Sequence, residues 1–203
     1  MKIIVVGATG TIGKAVVKEL EARHDIVRVG HSSGDIQVDI TSEASIKAMY
    51  DQAGSFDALV SATGAVHFGP LNEISPEEWN LGLQSKLMGQ VNLVLQGMNR
   101  IEDGGSFTLT SGILADDPIR YGASASMVNR ALEGFVIGAA IEMPRGTRIN
   151  LVSPTVLEES MAAYGPYFRG FDPVPAARAA LGYSKSVEGA RTGTVIRVDG
   201  LVR

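Results

Sequence analysis

A glycine-rich turn between a short apolar strand and an amphipathic helix constrains this 203-residue chain more than any other feature. Residues 3–6 form a β-branched run that is typical of a buried parallel strand. Apolar residues at helical spacing predict a helix from residue 11 to about residue 23. The turn between them has glycines three residues apart, at Gly7, Gly10 and Gly13. It predicts a dinucleotide held at the amino end of the helix, where free N–H groups favour phosphates.

Strand and helix signals alternate along the rest of the chain. Further strands are predicted at residues 26–29, 36–40, 58–62, 107–110, 148–152 and 194–198. Helices are predicted from Thr41 or Ser42 to Tyr50, from a capping box at residues 75–78 to about residue 99, and over residues 122–143. The alternation predicts a single α/β domain over residues 1–203. We expect a doubly wound Rossmann fold with a mainly parallel seven-stranded sheet and helices on both faces.

The segment between the second and third predicted strands is too short for the usual crossover helix, so we expect a bare loop there. The second strand ends at residues 30–33, where NAD-preferring folds often carry a carboxylate. Here His31, Ser32 and Ser33 favour a 2′-phosphate, with Arg28 and Lys14 adding positive potential. We therefore expect NADP(H) to be preferred, with NAD(H) possible. The alternative is a simple polar turn, with Asp35 reaching the ribose.

Composition excludes several classes of function. A net charge of -4 without a basic stripe argues against nucleic acid as a partner. The absence of cysteine removes disulfides and thiolate chemistry and fits a reducing compartment, so we expect a cytoplasmic protein. The three histidines have no partner at ligand spacing, so we expect no metal site. The first apolar run, of four residues, is too short for a signal peptide or a membrane span.

Motifs in order along nearly the whole chain resemble those of the short-chain dehydrogenase/reductase family. They are the glycine turn at residues 7–13, Val38-Asp39-Ile40, Ser61-Ala62-Thr63-Gly64, Phe68-Gly69-Pro70-Leu71 with Glu78-Trp79, residues 105–111, Tyr121-Gly122-Ala123-Ser124, residues 150–154 and Val198-Asp199-Gly200. The resemblance implies a set of cofactor-binding residues. They are Gly7, Thr9, Gly10, Thr11, Ile12, Gly13, His31, Ser32, Ser33, Asp39, Ile40, Ala62, Thr63, Gly64, Pro154 and Val156.

The resemblance also implies a substrate lid at about residues 155–175, whose wall would include Tyr164, Tyr167, Phe168 and Phe171. The alternative is a surface loop that covers the sheet. Related proteins commonly pair through the helix at 122–143 and the long helix before it, so a homodimer or homotetramer is expected.

In this family a tyrosine exchanges a proton with the substrate oxygen, a serine holds that oxygen, and a lysine lowers the tyrosine's pKa. Tyr121 fits the tyrosine, but Ala125 stands four residues later, where the lysine belongs. Lys86 occupies a helix position that usually holds asparagine. Ketoreductase domains of polyketide synthases carry their lysine on that helix and an asparagine four after the tyrosine. Here Asn129 falls eight after Tyr121, so the exchange is incomplete.

Ser111 matches the first of the family's two adjacent serines, and Gly112 replaces the one that usually acts. We expect Tyr121 as acid/base, Lys86 as its electrostatic partner and Ser111 as the oxygen binder. The resemblance implies an NADP(H)-dependent oxidoreductase acting on a small carbonyl or alcohol. Each residue also has a structural alternative: a packing tyrosine, a solvated lysine and a hydroxyl that caps a turn. The alternative function is a catalytically inactive dinucleotide-binding sensor or scaffold.

Overall fold

Seven parallel strands form one sheet in the computed structural model, which describes residues 1–200. In chain order they are β1 (Lys2–Val6), β2 (Asp25–Gly30), β3 (Ile36–Gln37), β4 (Phe56–Ser61), β5 (Ile101–Thr110), β6 (Arg148–Pro154) and β7 (Val195–Val198). Their spatial order is β3-β2-β1-β4-β5-β6-β7. The order reverses between β1 and β4, and in open α/β sheets ligands bind in the crevice at such a switch point.

Helices cover both faces of the sheet. They are α1 (Thr11–Leu20), α2 (Glu43–Ala53), α3 (Pro76–Leu81), α4 (Gln90–Gly97), α5 (Ala123–Ala139), α6 (Met161–Tyr164) and α7 (Ala176–Glu188). Apolar side chains of α2, α4 and α5 pack on one face, whereas those of α1 and α7 pack on the other. The predicted doubly wound sheet is therefore confirmed.

Several predicted boundaries were wrong. β3 ends at Gln37 rather than residue 40. α1 ends at Leu20, and the Leu20 carbonyl oxygen accepts the N–H groups of both Arg23 and His24. β5 begins six residues earlier than predicted, at Ile101. The predicted loop between β2 and β3 is confirmed, since no helix lies between them.

The predicted long helix from residue 75 has three parts. The capping box is present, because the Ser75 hydroxyl accepts from the Glu78 N–H at 3.3 Å and the Glu78 carboxylate accepts from the Ser75 N–H at 2.8 Å. After α3 the backbone forms a π-helix over Gly82–Gly89 and returns to α-helical geometry in α4. π-helical turns are rare and occur often at functional sites.

Helix α7 was not predicted. Its sequence is rich in alanine, glycine and serine, so it lacks the large apolar side chains that make helical periodicity conspicuous. Even so, Tyr183 and Val187 are buried, and they complete the core on the α1 side of the sheet.

Candidate functional site

The glycine turn after β1 is held by contacts that tolerate no side chain at two of its three glycines. Gly7 has φ +84°, and a Cβ there would lie 2.4 Å from the carbonyl oxygen of Ala62, at the end of β4. A Cβ on Gly13 would lie 2.0 Å from the carbonyl oxygen of Gly7. These two glycines let the turn, the first helix and β4 approach each other closely.

Gly10 differs from the other two glycines. It is the N-cap of α1 with an ordinary φ of −79°, and a Cβ there would meet only the Gly7 carbonyl oxygen, at 3.4 Å. The first intrahelical bond runs from the Lys14 N–H to the Gly10 carbonyl at 2.9 Å. The preceding N–H groups, of Thr11, Ile12 and Gly13, therefore remain available at the positive end of the helix dipole.

A cleft of about 450 Å³ opens beside this turn at the switch point of the sheet. Its lining includes many of the predicted cofactor residues: Gly7, His31, Asp39, Ile40, Thr63 and Gly64. Ser32 and Ser33 lie outside this lining, in the exposed turn after β2. We call this space the first cleft.

Charges near the first cleft are mostly engaged within the chain. The Asp35 carboxylate accepts the Arg28 N–H at 2.8 Å, and the Arg28 guanidinium pairs with Glu21 at 2.8 Å. Asp39 accepts the Thr41 hydroxyl at 2.7 Å and the Thr41 N–H at 2.9 Å, and these bonds hold the pKa of its carboxyl below the usual value. Asp35 is therefore tied into its turn, and Arg28 is offset by Glu21.

A second cleft of about 440 Å³ begins at the amino end of α1. It shares Gly64 with the first cleft, and its lining contains the predicted residues Thr11, Ile12, Ala62, Lys86 and Val156. The opposite wall comes from residues 157–168, part of the segment at about 155–175 predicted as a lid, and this part contains a single helical turn at Glu158–Ser160 and α6.

Lys86 is the cationic side chain of the second cleft. It lies on the π-helical segment, where its ammonium donates to the Ser111 carbonyl oxygen at 3.4 Å. Burial lowers the pKa of Lys86 from 10.5 to about 8. A Cβ on Gly64, whose φ is +115°, would lie 2.7 Å from the Lys86 Cα, so this glycine makes room for the lysine's backbone. The lysine is thus held in a poorly hydrated wall, where its charge acts strongly on a bound group.

Gln90 fixes the lysine-bearing segment to the end of β5. This fully buried side chain donates to the carbonyl oxygens of Lys86 at 3.0 Å and Thr110 at 2.9 Å, and it accepts the Thr110 N–H at 2.9 Å. Sequence reasoning missed Gln90, because the contact of its side chain with the end of β5 follows only from the packing of the helix against that strand.

The family model for enoyl-(acyl carrier protein) reductase matches residues 2–199 of the chain. This protein belongs to the short-chain dehydrogenase/reductase family. Among solved structures, the protein lin1944 from Listeria innocua is 54% identical with a TM-score of 0.96, over 98% of this chain and 99% of that one. A small-chain dehydrogenase in complex with NADPH is 25% identical with a TM-score of 0.89, over 98% and 97%.

Curated relatives match over shorter segments. The 2,3-dihydro-2,3-dihydroxybenzoate dehydrogenase of Escherichia coli is 32% identical over 109 residues, which cover 52% of this chain and 44% of that protein. The hydroxynaphthalene reductase arp2 of Aspergillus fumigatus is 26% identical over 157 residues, which cover 75% and 56%. The chain thus spans about half the length of these two relatives.

Of the residues discussed for the family's catalytic positions, the structure brings Lys86, Ser111 and Asn129 together. Ser111 is buried, and its hydroxyl donates to the Asn129 carbonyl oxygen at 3.2 Å, so it is directed to α5 rather than into the second cleft. The Asn129 amide nitrogen lies 3.2 Å from where a Cβ on Gly112 would stand. Gly112 therefore leaves room for this buried amide.

Asn129 lies four residues after Ala125, the spacing that polyketide ketoreductase domains show between tyrosine and asparagine. Asn129 lies beside the end of β5, where its backbone carbonyl oxygen accepts the Ser111 hydroxyl. Ala125 is buried against Leu114, Val156 and Phe168. Sequence reasoning named Asn129 by its spacing from Tyr121, but it could not show that Asn129 meets Ser111.

Tyr121 lies outside α5, which begins two residues later. Its φ is +70°, which is uncommon for a residue with a side chain. Tyr121 and Ala125 are therefore not related by one turn of helix, although they lie four residues apart. The Tyr121 ring lines a neighbouring cleft that shares Phe68 and Tyr164 with the second cleft.

Within residues 1–200 no group of three or more His, Cys, Asp or Glu side chains is arranged to hold a metal ion. In the same range, no helix has the length and apolar character needed to cross a membrane.

Proposed function

We propose that this protein is an NADP(H)-dependent oxidoreductase that transfers hydride between the nicotinamide and a small carbonyl or alcohol substrate. The observation that carries the proposal is Lys86, a cation with lowered pKa in the wall of a cleft that is continuous with the glycine turn. Family membership and the NADPH-bound relative support the cofactor class.

The chain's own residues fit a dinucleotide. The free N–H groups at the start of α1 would bind the pyrophosphate, and the first cleft would hold the adenosine half beside Asp39 and Ile40. His31 lines this cleft, and no carboxylate follows it before Asp35, which is engaged with Arg28. We propose a preference for NADP(H) over NAD(H), with Ser32 and Ser33 able to donate to a 2′-phosphate from the adjoining turn.

The bound nicotinamide would supply or accept the hydride near Val156 and Ala62, in the second cleft. Lys86 would stabilise the negative charge that develops on the substrate oxygen, and Gln90 would hold the lysine in place. The aromatic residues of the lid segment would exclude water. Tyr121 as the acid/base and Ser111 as an oxygen binder stay predictions, and the Ser111 hydroxyl would have to leave Asn129 to act.

Binding and turnover are measured in one preparation. Calorimetry with NADPH and NADH is expected to show tighter binding of NADPH. Absorbance loss of the reduced cofactor is then followed with ketones, aldehydes and quinones. Lys86→Met is expected to lower oxidation at least about a hundredfold, the usual effect of removing such a group, with NADPH affinity retained. An unchanged rate in this variant would refute the mechanism.

Tyr121→Phe in the same assay tests the predicted acid/base. Loss of oxidation comparable to that of Lys86→Met would give Tyr121 the proton-transfer role. Oxidation retained in Tyr121→Phe and lost in Lys86→Met would remove Tyr121 from that role and leave the electrostatic role of Lys86 standing.

A dinucleotide-binding sensor or scaffold is the second candidate. Ala125 at the lysine position and Gly112 at the position of the serine that usually acts favour it, because two of the family's usual catalytic groups are then absent. Tight NADPH binding without oxidation across the panel is the outcome that would support this function.

We further propose a small-molecule substrate, no nucleic-acid or membrane partner, a cytoplasmic location and a homodimer or homotetramer. The absence of cysteine and the net charge of -4 support the location and the lack of a nucleic-acid partner. Exposed apolar side chains on α4 and α5 support the oligomer.

A further inference from the structure

A third cleft, which we call the aromatic cleft, lies beside the second. It has a volume of about 230 Å³ and is lined by Phe68, Ile119, Arg120, Tyr121, Ala163, Tyr164 and Tyr167. At the ~30 Å³ that one water occupies in the liquid, it holds roughly eight waters, a size suited to one or two fused rings. Phe68 and Tyr164 also line the second cleft, so the two spaces adjoin.

The rings of the aromatic cleft are clustered although they are exposed. Phe68, Tyr121, Tyr164 and Tyr167 are between 37% and 51% exposed. They form two pairs, Phe68 with Tyr164 at 6.1 Å between ring centroids and Tyr121 with Tyr167 at 6.2 Å. Contiguous exposed apolar surface in a cleft usually marks a binding site, and ring faces and edges of this kind favour a flat aromatic ligand.

The turn that carries Tyr121 is strained. The Gly122 N–H donates to the Ile119 carbonyl oxygen at 3.1 Å, so Arg120 and Tyr121 are the central residues of a tight turn. The position of Tyr121, with φ +70°, normally takes glycine or asparagine. A tyrosine there costs on the order of 1 kcal/mol, and such strain is found mostly at functional sites. The backbone thus holds two side chains at the rim of the cleft at a cost in stability.

Arg120 is the charged residue of this lining. It forms no ion pair or side-chain hydrogen bond with any residue from 1 to 200, whereas neighbouring Arg130 and Arg197 both pair with Asp116. An exposed, unpaired guanidinium next to an aromatic surface matches a planar carboxylate, which it can bind through two parallel hydrogen bonds.

We propose that the aromatic cleft binds an aromatic carboxylate, with its ring among Phe68, Tyr121, Tyr164 and Tyr167 and its anionic group on Arg120. That this ligand is the substrate, with its reacting carbonyl or alcohol directed towards Lys86, rests on the proposed function. The binding itself does not rest on the proposed function, because the four rings and the Arg120 guanidinium that would hold the ligand all belong to this chain.

Binding is measured by calorimetry with naphthalene-2-carboxylate and the full chain, without cofactor and again with saturating NADPH. We expect one site, with the neutral naphthalene-2-carboxamide binding about tenfold more weakly. Arg120→Gln should weaken the carboxylate about tenfold and leave the carboxamide unchanged. Tyr167→Leu should weaken both compounds.

Arg169→Gln is the matched control, since it removes one exposed arginine of the lid segment that does not line the cleft. It should leave carboxylate binding unchanged. Absence of carboxylate binding at millimolar concentration, equal binding of carboxylate and carboxamide, or an unchanged affinity in Arg120→Gln would overturn the proposal.

The two proposals fail in different ways. Naphthalene-2-carboxylate binding in a protein that does not bind NADPH would leave the aromatic-carboxylate site standing and remove the proposed function. NADPH-dependent turnover of small ketones without naphthalene-2-carboxylate binding would do the reverse.

Discussion

The chemical role proposed for Lys86 conflicts with its contribution to folding. Its ammonium is partly withdrawn from water in the cleft wall and donates one hydrogen bond, at 3.4 Å, so the charged form is less favourable in the folded protein than in the unfolded chain. Charged groups with this balance are usually kept for function, since an apolar side chain in the same place would give a more stable protein.

Lys86→Met is accordingly expected to raise the free energy of unfolding at pH 7, by on the order of 2 kcal/mol. In the wild type, Lys86 loses its proton near pH 8 when folded and near pH 10.5 when unfolded. Between these values the unfolded state binds more protons, so wild-type stability rises with pH and the advantage of the variant disappears by about pH 10.5.

Urea unfolding at several pH values measures this difference. Lys47→Met serves as control, because Lys47 is 68% exposed and pairs with Asp51 on the surface of α2, so its removal should change stability little at any pH. A Lys86→Met protein that is no more stable than the wild type at pH 7 would contradict the argument.

Single residues were only partly predictable from the sequence. Lys86 was found because its position in a motif is local, and the structure places it in the cleft. Asn129 and Gln90 act across a strand end and a helix, so their roles depend on which side chains meet in space. Tyr121 directly precedes the helix predicted over residues 122–143, and the positive φ of its turn leaves no trace in residue type.

At the scale of elements, the glycines of the turn before α1 differ in whether the fold itself requires them. Gly13 is required by the protein itself, since a Cβ would strike the Gly7 backbone at 2.0 Å. Gly10 has an allowed conformation, and a Cβ there would make only an ordinary contact at 3.4 Å, so nothing within residues 1–200 requires glycine there. We propose that the close approach of a ligand explains a glycine that the fold does not need.

We therefore expect Gly10→Ala to change the free energy of unfolding by less than about 1 kcal/mol while weakening NADPH at least about tenfold. Gly13→Ala should lower stability by about 1–3 kcal/mol or more and weaken NADPH as well. Chemical denaturation and calorimetry on the two variants measure both quantities. Equal NADPH affinity in Gly10→Ala and the wild type would rule out a pyrophosphate against this residue.

Elements with strong local signals were predicted well. The β-branched run of β1 and the capping box of α3 are chemical signatures confined to a few residues. The π-helix at Gly82–Gly89 was not predictable, because it arises where the segment meets α5: a Cβ on Gly82 would stand 3.0 Å from the Ser124 hydroxyl. Helix α7 was missed because many of its side chains are small, so it packs closely without a strong apolar pattern in the sequence.

Across the whole molecule, the two layers of helices differ in the apolar side chains that they leave exposed to solvent. A groove of about 330 Å³ lies between α4 and α5, where Leu95 and Ile137 are exposed on the helices and Ile141 is exposed just after α5. On the opposite layer, Leu181 of α7 has the same exposure as Ile137, 56%, but α7 packs along α1. This difference supports pairing of two copies through α4 and α5.

Ile137→Asp is expected to shift the protein to monomers, because it places a charge in the proposed interface. Leu181→Asp changes an equally exposed residue on the other face and should leave the oligomer intact. Light scattering after size-exclusion chromatography distinguishes the two. A wild type that is monomeric, or an Ile137→Asp oligomer, would count against pairing through this face.

Phe68 and Tyr164 line both the second cleft and the aromatic cleft. Two ligands that contact the same side chains do not bind independently. A shift of these two rings caused by one ligand changes the surface that the other ligand contacts. The resulting coupling free energy must be the same in both directions. The factor by which NADPH changes the affinity for an aromatic carboxylate is then the factor by which the carboxylate changes the affinity for NADPH. Cofactor supply would thereby set how strongly the protein retains its second ligand.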